Sequence, residues 1–218
     1  MAAKITKRRC AVIAGAPEAD VQFIMETVKD GDFVVCADRG FEIAELAGIK
    51  PDLIVGDFDS CKTALPSDCV IITLNPEKDD TDALHCVSVA FERGYRDFVL
   101  LNATGGRLDH CLGNISILDY LSQRGAEGII LSENEEIILL TEGEHIIPNR
   151  KGRTFSVFPF GCEAVTLSYG GAKYPLSREP LFSSVARGVS NIFVSDSASI
   201  TVHSGKALLI INATKSIA

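Results

Sequence analysis

Two closely spaced aspartates follow an apolar run in the first third of the chain. Within the block PDLIVGDFDS, the apolar triplet is typical of a strand buried on both faces, and Asp57 and Asp59 come directly after its glycine. In an open α/β sheet, ligands bind beyond the carboxyl ends of the strands, so both carboxylates are expected to face a ligand. Oxygen donors of this kind favour Mg²⁺ or a similar hard cation. The pattern predicts a metal that carries a phosphate, although the Asp-x-Asp by itself also fits an acidic surface turn.

A second group of charged residues lies at the predicted start of a helix. The segment PEKDDTD supplies three aspartates and Lys78, and apolar residues at helical spacing follow it up to Gly94. Either Asp80 or Thr81 suits the N-cap position. Interaction of carboxylates with the helix dipole explains two of the three aspartates. It leaves Lys78 and one aspartate without a structural explanation, which favours a role for them in binding.

A glycine-rich turn follows another apolar run, FVLL. The segment after it contains Gly105, Gly106, Arg107, Asp109 and His110, and a helical pattern then continues to about residue 121. Two glycines at a strand-to-helix junction let backbone N–H groups approach an anion closely, and the arginine offers a bidentate fork for phosphate. The order of strand, glycine-rich turn, charged residues and helix predicts a nucleotide pocket.

With these blocks in this order, the chain resembles the thiamine pyrophosphokinase family, which transfers a pyrophosphoryl group from ATP to thiamine. The resemblance extends over nearly the whole chain and rests on the blocks Pro51 to Ser60, Lys78 to Asp82, Gly105 to His110, and Ser190-Asn191. The chain departs from the family pattern where the family often has D-G-G, because it has Asp38-Arg39-Gly40 there. The second block also begins in an unusual way, with Glu77-Lys78-Asp79.

The resemblance implies a set of Mg²⁺ ligands. It places the metal-binding carboxylates at Asp57, Asp59 and Asp82, each of which the sequence puts beside a strand end or a helix start. Asp38 is a further candidate at the nucleotide site, and it is equally suited to be the N-cap of a helix that begins near Phe41.

The chain contains neither a G-x-x-x-x-G-K-[ST] loop nor a G-x-G-x-x-G motif, so ATP has to be held by other groups. Arg107 and Lys78 are expected to neutralise charge on the transferred group. Thr81 and the backbone amides of Gly105 and Gly106 are expected to bind phosphate oxygens.

Three residues are candidates for the thiamine side of the reaction. Asp109 is placed near the attacking hydroxyl or the cationic rings, although a carboxylate that stabilises a helix N-terminus explains it as well. Ser190 and Asn191 resemble the family's thiamine-contacting pair, and without the resemblance they would be a turn that leads into a strand. The chain has no Trp, so an aromatic side chain that stacks on the substrate would have to be Phe or Tyr.

The resemblance implies that the thiamine hydroxyl attacks the β-phosphorus of ATP and that AMP leaves. Such transition states are loose, so positioning and charge neutralisation matter more than a strong base. Three alternatives stay open. The first is a pyrophosphokinase for another hydroxymethyl heterocycle such as a pterin, and the second is a non-catalytic thiamine sensor. The third is a phosphohydrolase with Asp57 as nucleophile, which Cys61 disfavours because that mechanism expects threonine there.

Composition restricts the partners. The net charge is −8 without a basic stripe, so nucleic acid is not an expected partner. No apolar run reaches the roughly 18 residues of a membrane span, and the start of the chain lacks the apolar segment of a signal peptide. The seven cysteines are odd in number and contain no Cys-x-x-Cys, so reduced thiols are expected. A cytoplasmic enzyme fits these features.

The predicted fold class is α/β, with an N-terminal Rossmann-like parallel sheet with helices on both faces, followed by a small C-terminal β-sandwich. Strands and helical patterns alternate up to residue 142, and short β-rich runs separated by Gly, Pro, Ser and Asn follow from Gly143. We therefore predict an ATP- and Mg²⁺-binding catalytic domain at 1–142 and a thiamine-binding domain at 143–218. The resemblance also implies a homodimer with thiamine between the β-domain of one chain and the α/β domain of the other.

Overall fold

The computed structural model describes residues 8–59, 61–75 and 80–213. The chain divides into two compact units, Met1–Glu133 (unit 1) and Asn134–Ala218 (unit 2). In chain order, the elements of unit 1 are β1 (Arg9–Ile13), α1 (Val21–Thr27), β2 (Phe33–Ala37), α2 (Gly40–Leu46), β3 (Leu53–Gly56), β4 (Val70–Thr73), α3 (Asp82–Glu92), β5 (Asp97–Leu101), α4 (Leu108–Ser122) and β6 (Glu127–Leu131).

The strands of unit 1 form a parallel sheet in the order β6-β5-β1-β2-β3-β4. From β1 the chain adds β2, β3 and β4 on one side, and it then crosses back through α3 to place β5 on the other side of β1. The order of strands therefore reverses between β1 and β5. At such a reversal, neighbouring loops leave the sheet in opposite directions and open a crevice at the carboxyl ends of the strands.

Apolar side chains on both faces of this sheet explain why its strands read as continuous apolar runs. Leu53, Ile54 and Val55 of β3 are completely buried, as the sequence predicted. On one face, α1 and α2 pack on alternate strand residues such as Ile13 and Cys36. On the other face, α3 packs on β1, β2 and β3. Its side chains in this contact include Cys86 and Val87, which are completely buried. The helices on both faces confirm the α/β part of the prediction.

Unit 2 consists of two antiparallel layers around one hydrophobic core. Its elements are β7 (Glu135–Leu140), β8 (Gly143–Pro148), β9 (Thr154–Pro159), β10 (Ala164–Gly170), β11 (Glu179–Phe182), β12 (Asn191–Ile192), β13 (Ser197–Ser204) and β14 (Ala207–Asn212). The strands pair in the orders β12-β9-β14-β7 and β11-β10-β13-β8. Phe155 stacks on Phe193 and meets Tyr169 edge to face in the core between the layers. This arrangement confirms the predicted β-sandwich.

The boundary between the two units lies before the position at which the sequence pattern changes from alternating strands and helices to short β-rich runs. The predicted boundary was 142/143, whereas the division by contacts lies between Glu133 and Asn134. The difference is due to β7, whose apolar sequence resembles the strands before it but which pairs antiparallel with β14 over its whole length. Within the described part of the chain, no helix has both the length and the hydrophobicity that crossing a membrane requires.

An asparagine at the end of β5 fixes the loop that follows β1. Asn102 is 8% exposed, and its side-chain Nδ2 donates to the carbonyl oxygens of Ala14, at 3.0 Å, and Ala16, at 2.8 Å. Both amide hydrogens are thus used across the reversal point of the sheet. Its φ of 52° lies in the left-handed region, which asparagine tolerates better than most residues. Asn102 therefore sets the separation of the two loops that frame the crevice.

We expect Asn102→Asp to lower the free energy of unfolding by about 3 kcal/mol at neutral pH, because a buried carboxylate would then face two carbonyl oxygens. Urea unfolding measures this change. Asn149→Asp is the matched control, since Asn149 also has a positive φ, of 57°, but is exposed. The control should change stability by no more than about 0.5 kcal/mol. Equal losses in both variants would mean that the tether contributes nothing.

Candidate active site

A cleft of about 740 Å³ opens at the carboxyl ends of the strands of unit 1, at the reversal point between β1 and β5. The loops that follow β1, β2 and β5 line it, together with the first turn of α3 and part of α4. Sequence reasoning placed residues from three of these segments in one pocket but did not include the loop after β1. That loop consists of small apolar residues and a proline, which carry no chemical signal of their own.

Three residues that follow β2, β3 and β5 have a positive φ although they are not glycine. These are Asp38, Phe58 and Asn102, with φ values of 47°, 65° and 52°. Backbones of this kind cost free energy and tend to cluster where the chain serves binding or catalysis. Close packing holds the first of them in place, because a Cβ on Gly56 would lie 2.8 Å from the Asp38 Cα. The ends of β2 and β3 are thereby brought together.

The predicted metal ligands come from two segments: Asp57 and Asp59 follow β3, and Asp82 begins α3. Asp82 lines the cleft, whereas Asp57 and Asp59 are not among its lining residues. The negative charge of Asp57 is the main cause that raises the pKa of Asp59, and the charges of Asp38 and Asp82 raise it further. Asp59 also donates its backbone N–H to the Asp57 carboxylate at 3.3 Å. Across residues 8–59, 61–75 and 80–213, no three His, Cys, Asp or Glu side chains are gathered closely enough to hold a metal ion. The carboxylates therefore share a region without forming a closed set of ligands.

The alternative role of Asp38 as a helix N-cap is wrong. Helix α2 begins at Gly40, and its N-cap is Arg39, which makes no side-chain capping hydrogen bond. Asp38 lines the cleft instead, and its Oδ1 accepts a hydrogen bond from the Cys61 thiol at 3.5 Å. This places Asp38 with the other candidate residues of the nucleotide site.

The start of α3 contributes Thr81 and Asp82 to the cleft. Thr81 is the N-cap, and its Oγ1 accepts from the backbone N–H of Leu84 at 3.2 Å. Of the two predicted cap residues, Thr81 and not Asp80 has this role. The cap uses the hydroxyl oxygen as an acceptor, and a hydroxyl group can donate as well. Lys78 lies outside the described residues.

The glycine-rich turn after β5 forms the opposite wall. Gly105 and Gly106 have φ values of 102° and 69°, and both line the cleft. A Cβ on Gly106 would lie 2.7 Å from the ring of Pro17, so the turn touches the loop that follows β1. Asn114 of α4 is buried and donates to the Ala103 carbonyl oxygen at 2.7 Å, which fastens the turn to the helix. Sequence reasoning did not single out this asparagine.

Arg107 and Asp109 form an exposed bidentate ion pair. The arginine Nε lies 3.1 Å from Oδ1 of the aspartate, and Nη2 lies 2.6 Å from Oδ2. The hydrogen bond and the charge of Arg107 hold the pKa of the Asp109 carboxyl below its ordinary value. Asp109 also accepts from the backbone N–H of His110 at 3.0 Å. The fork that was expected to grip phosphate thus faces a carboxylate, and because the pair is exposed, water screens it and an anion can compete for the arginine.

The Ser190-Asn191 pair lies in unit 2. Ser190 is exposed, has a φ of 61°, and donates its backbone N–H to the Ser156 hydroxyl oxygen at 3.1 Å. Asn191 is buried, and its side chain accepts from the backbone N–H of Tyr174 and donates to the carbonyl oxygen of the same residue. Asn191 thus fastens the segment around Tyr174 to β12, while the Ser190 side chain faces solvent.

Family models match both units of the chain. The thiamin pyrophosphokinase catalytic domain matches residues 24–130, and the thiamin pyrophosphokinase vitamin B1 binding domain matches residues 144–209. Together the two matches cover well over half of the chain. The first contains the predicted metal ligands and the glycine-rich turn, and the second contains Ser190 and Asn191.

Curated relatives and solved structures carry the same family name. The chain is 27% identical to thiamine pyrophosphokinase of Bacillus subtilis, in an alignment that covers 76% of this chain and 80% of that protein. It is also 27% identical to thiamine pyrophosphokinase 3 of rice, over 73% of this chain and 65% of that protein.

The fold of the chain is similar to two crystal structures from Bacillus and its relatives. The structure of Bacillus subtilis thiamine pyrophosphokinase superposes with a TM-score of 0.84 at 24% identity, and covers 94% of this chain and 99% of that chain. The structure of Geobacillus thermodenitrificans thiamin pyrophosphokinase superposes with a TM-score of 0.81 at 25% identity, and covers 96% of this chain and 100% of that chain. Because family models match both of its units in order and cover more than half of its length, the chain belongs to the thiamin pyrophosphokinase family.

Proposed function

We propose that this protein transfers the β,γ-pyrophosphoryl group of ATP to the hydroxyl of thiamine, giving thiamine diphosphate and AMP. The observation that carries the proposal is the cleft of unit 1, which joins a Gly-Gly-Arg turn to an aspartate-rich edge at the reversal point of a parallel sheet. ATP and thiamine are proposed as the substrates because the chain belongs to this family. A pterin substrate is not favoured, because the C-terminal match is to a vitamin B1 binding domain.

The phosphate chain is bound by groups from two walls of the cleft. On one wall, the backbone amides of Gly105 and Gly106 would bind phosphate oxygens, and Arg107 would exchange Asp109 for phosphate. On the other wall, Thr81 would donate its O–H. Lys78, which lies outside the described residues, is proposed to add a positive charge. These groups keep the transferred phosphorus in line with the attacking oxygen and neutralise charge in a loose transition state.

Mg²⁺ is the proposed metal, and Asp57, Asp59 and Asp82 would hold it, with Asp38 nearby. The fit rests on charge, because these carboxylates already raise the pKa of Asp59, and a divalent cation would relieve their repulsion. When bound, the ion would supply positive charge to the phosphate oxygens. Asp59 is exposed and Asp57 and Asp82 are partly exposed, so a cation could reach all three carboxylates.

Asp109 is proposed to have two successive partners. Without substrate its carboxylate pairs with Arg107. When a phosphate takes the arginine fork, the carboxylate is released to lie near the thiamine hydroxyl or the cationic rings. The hydroxyl proton needs no strong base in a loose transition state, so orientation of the hydroxyl is the main contribution.

Unit 2 is proposed to contribute the thiamine contacts. Its match to a vitamin B1 binding domain supports this assignment. Ser190 presents an exposed hydroxyl, whereas Asn191 acts through the backbone of Tyr174, which it fastens on both sides. A homodimer, which the family resemblance implies, and a cytoplasmic location, which fits the composition, complete the proposal.

The reaction class is tested with ATP labelled in the γ-phosphate. Incubated with Mg²⁺ and thiamine, the purified protein should place the label on thiamine diphosphate and release AMP in equal amount, since the two phosphates move together. Production of ADP would indicate a simple kinase and would contradict the proposal. ATP turnover that does not depend on thiamine would point to a hydrolase.

We expect Asp57→Asn and Asp59→Asn each to reduce kcat by about 100-fold or more without a change in fold, because each removes a negative ligand from the metal. Steady-state kinetics and circular dichroism measure the two effects. Asp68→Asn is the matched control. This exposed aspartate pairs with Lys50. It lies just before β4, at the end of the strands opposite to the candidate site. Near-normal activity of both site variants would exclude the metal assignment.

The two units can be tested separately through their ligands. Arg107→Ala is expected to weaken ATP binding roughly 10- to 100-fold and to leave thiamine binding nearly intact, because its fork is directed to phosphate. Ser190→Ala should have the reverse selectivity, with a loss of about 5- to 10-fold for one hydrogen bond. Calorimetric titration of each variant with each ligand measures both effects. Equal losses for both ligands would show that the binding is not divided in this way.

A further inference from the structure

Arg39 lines the same cleft but none of the roles assigned above includes it. It follows Asp38 at the end of β2 and directly precedes α2. Its side chain is half-buried and forms part of the cleft in which the nucleotide is proposed to bind. The sequence patterns predicted neither a ligand nor an ion-pair partner for this positive charge.

The stem of Arg39 is held by a glycine on the neighbouring loop. A Cβ on Gly15 would lie 2.6 Å from the Arg39 Cγ and 3.4 Å from its Cδ. Gly15 does not have a positive φ, so its backbone does not require glycine. The missing side chain instead makes room for the arginine, which therefore crosses the loop after β1 in a defined position.

One nitrogen of the Arg39 guanidinium lacks an acceptor. Nε of Arg39 is buried, and no atom of the described residues accepts a hydrogen bond from it. A buried donor on a charged group is costly to leave unpaired, and native proteins rarely do so. Glu42 is close enough for Arg39 to lower its pKa, but its Oε1 already accepts from the backbone N–H groups of Lys62 and Thr63, at 2.6 and 2.9 Å.

We propose that Arg39 is a further nucleotide-binding residue, whose guanidinium takes a phosphate oxygen of ATP in the cleft. Phosphate is the acceptor that suits a guanidinium fork, and the cleft is otherwise lined on this side by the carboxylate of Asp38 and small apolar residues. Because Nε is covered by protein, the phosphate would meet the outer nitrogens of the fork. The identity of the ligand as ATP rests on the proposed function.

The test compares ATP with adenosine, because only ATP carries phosphate. Arg39→Ala should weaken ATP binding at least about 10-fold and leave adenosine binding within 2-fold, by calorimetric titration in the absence of thiamine. Arg39→Lys, which keeps the stem and the charge but loses the fork, should fall between wild type and Arg39→Ala. Arg124→Ala is the control, since its guanidinium stacks on Tyr120 away from the cleft. Equal losses for ATP and adenosine, or unchanged ATP binding, would overturn the proposal.

A double-mutant cycle with Gly15 tests the packing on which the proposal depends. Gly15→Ala should weaken ATP binding about 5- to 10-fold, because the new methyl displaces the arginine stem. In the Arg39→Ala background the same change should have little further effect, because the atoms that it would meet are gone. Additive losses would overturn the proposal. Thermal unfolding of all variants identifies any that are destabilised overall.

The two proposals fail in different ways. If wild-type protein forms thiamine diphosphate and Arg39→Ala binds ATP normally, the role of Arg39 is overturned and the function stands. If Arg39→Ala selectively loses ATP binding but the wild-type protein makes no thiamine diphosphate, the function is overturned and the role of Arg39 in phosphate binding stands.

Discussion

The place of β1 between β2 and β5 is the constraint on which the candidate site depends. Parallel pairing on both sides fixes the register of β1, so the loops that follow β1, β2 and β5 must leave the sheet at the same edge. Because the order of strands reverses there, these loops diverge and leave a cleft. The apolar side chains that bury the sheet on both faces therefore also determine where a ligand can enter, and a change in register would move every candidate residue at once.

Charge in the cleft is separated by position. Asp38 and Asp82 line one side, and their charges, together with that of Asp57, raise the pKa of the nearby Asp59. Positive groups come from the turn after β5 and from the end of β2. A phosphate chain with a divalent cation would satisfy both sets, because the cation screens the carboxylates while the arginines meet the remaining oxygens.

Small residues in the cleft serve close approach more than flexibility. Gly56 and Gly15 do not have positive φ, yet a Cβ on either would meet atoms of the segment after β2 at less than 3 Å. Gly106 combines both requirements, since it has a φ of 69° and touches Pro17. Asn102 adds hydrogen bonds across the reversal point. Close contacts at small residues and the hydrogen bonds of one buried amide thus set the spacing of the cleft walls.

The sequence by itself determined the order of the elements, the two-part architecture and the segments that carry chemistry, because apolar periodicity and Gly, Asp and Arg spacing are local properties of the chain. The strands and helices around the aspartate and Gly-Gly-Arg blocks were found for this reason. The tertiary structure alone decided that β7 belongs to unit 2 and that Asn102 and Gly15 hold the cleft. These outcomes depend on residues that are distant in sequence and meet only when the strands have paired, so no local pattern could reveal them.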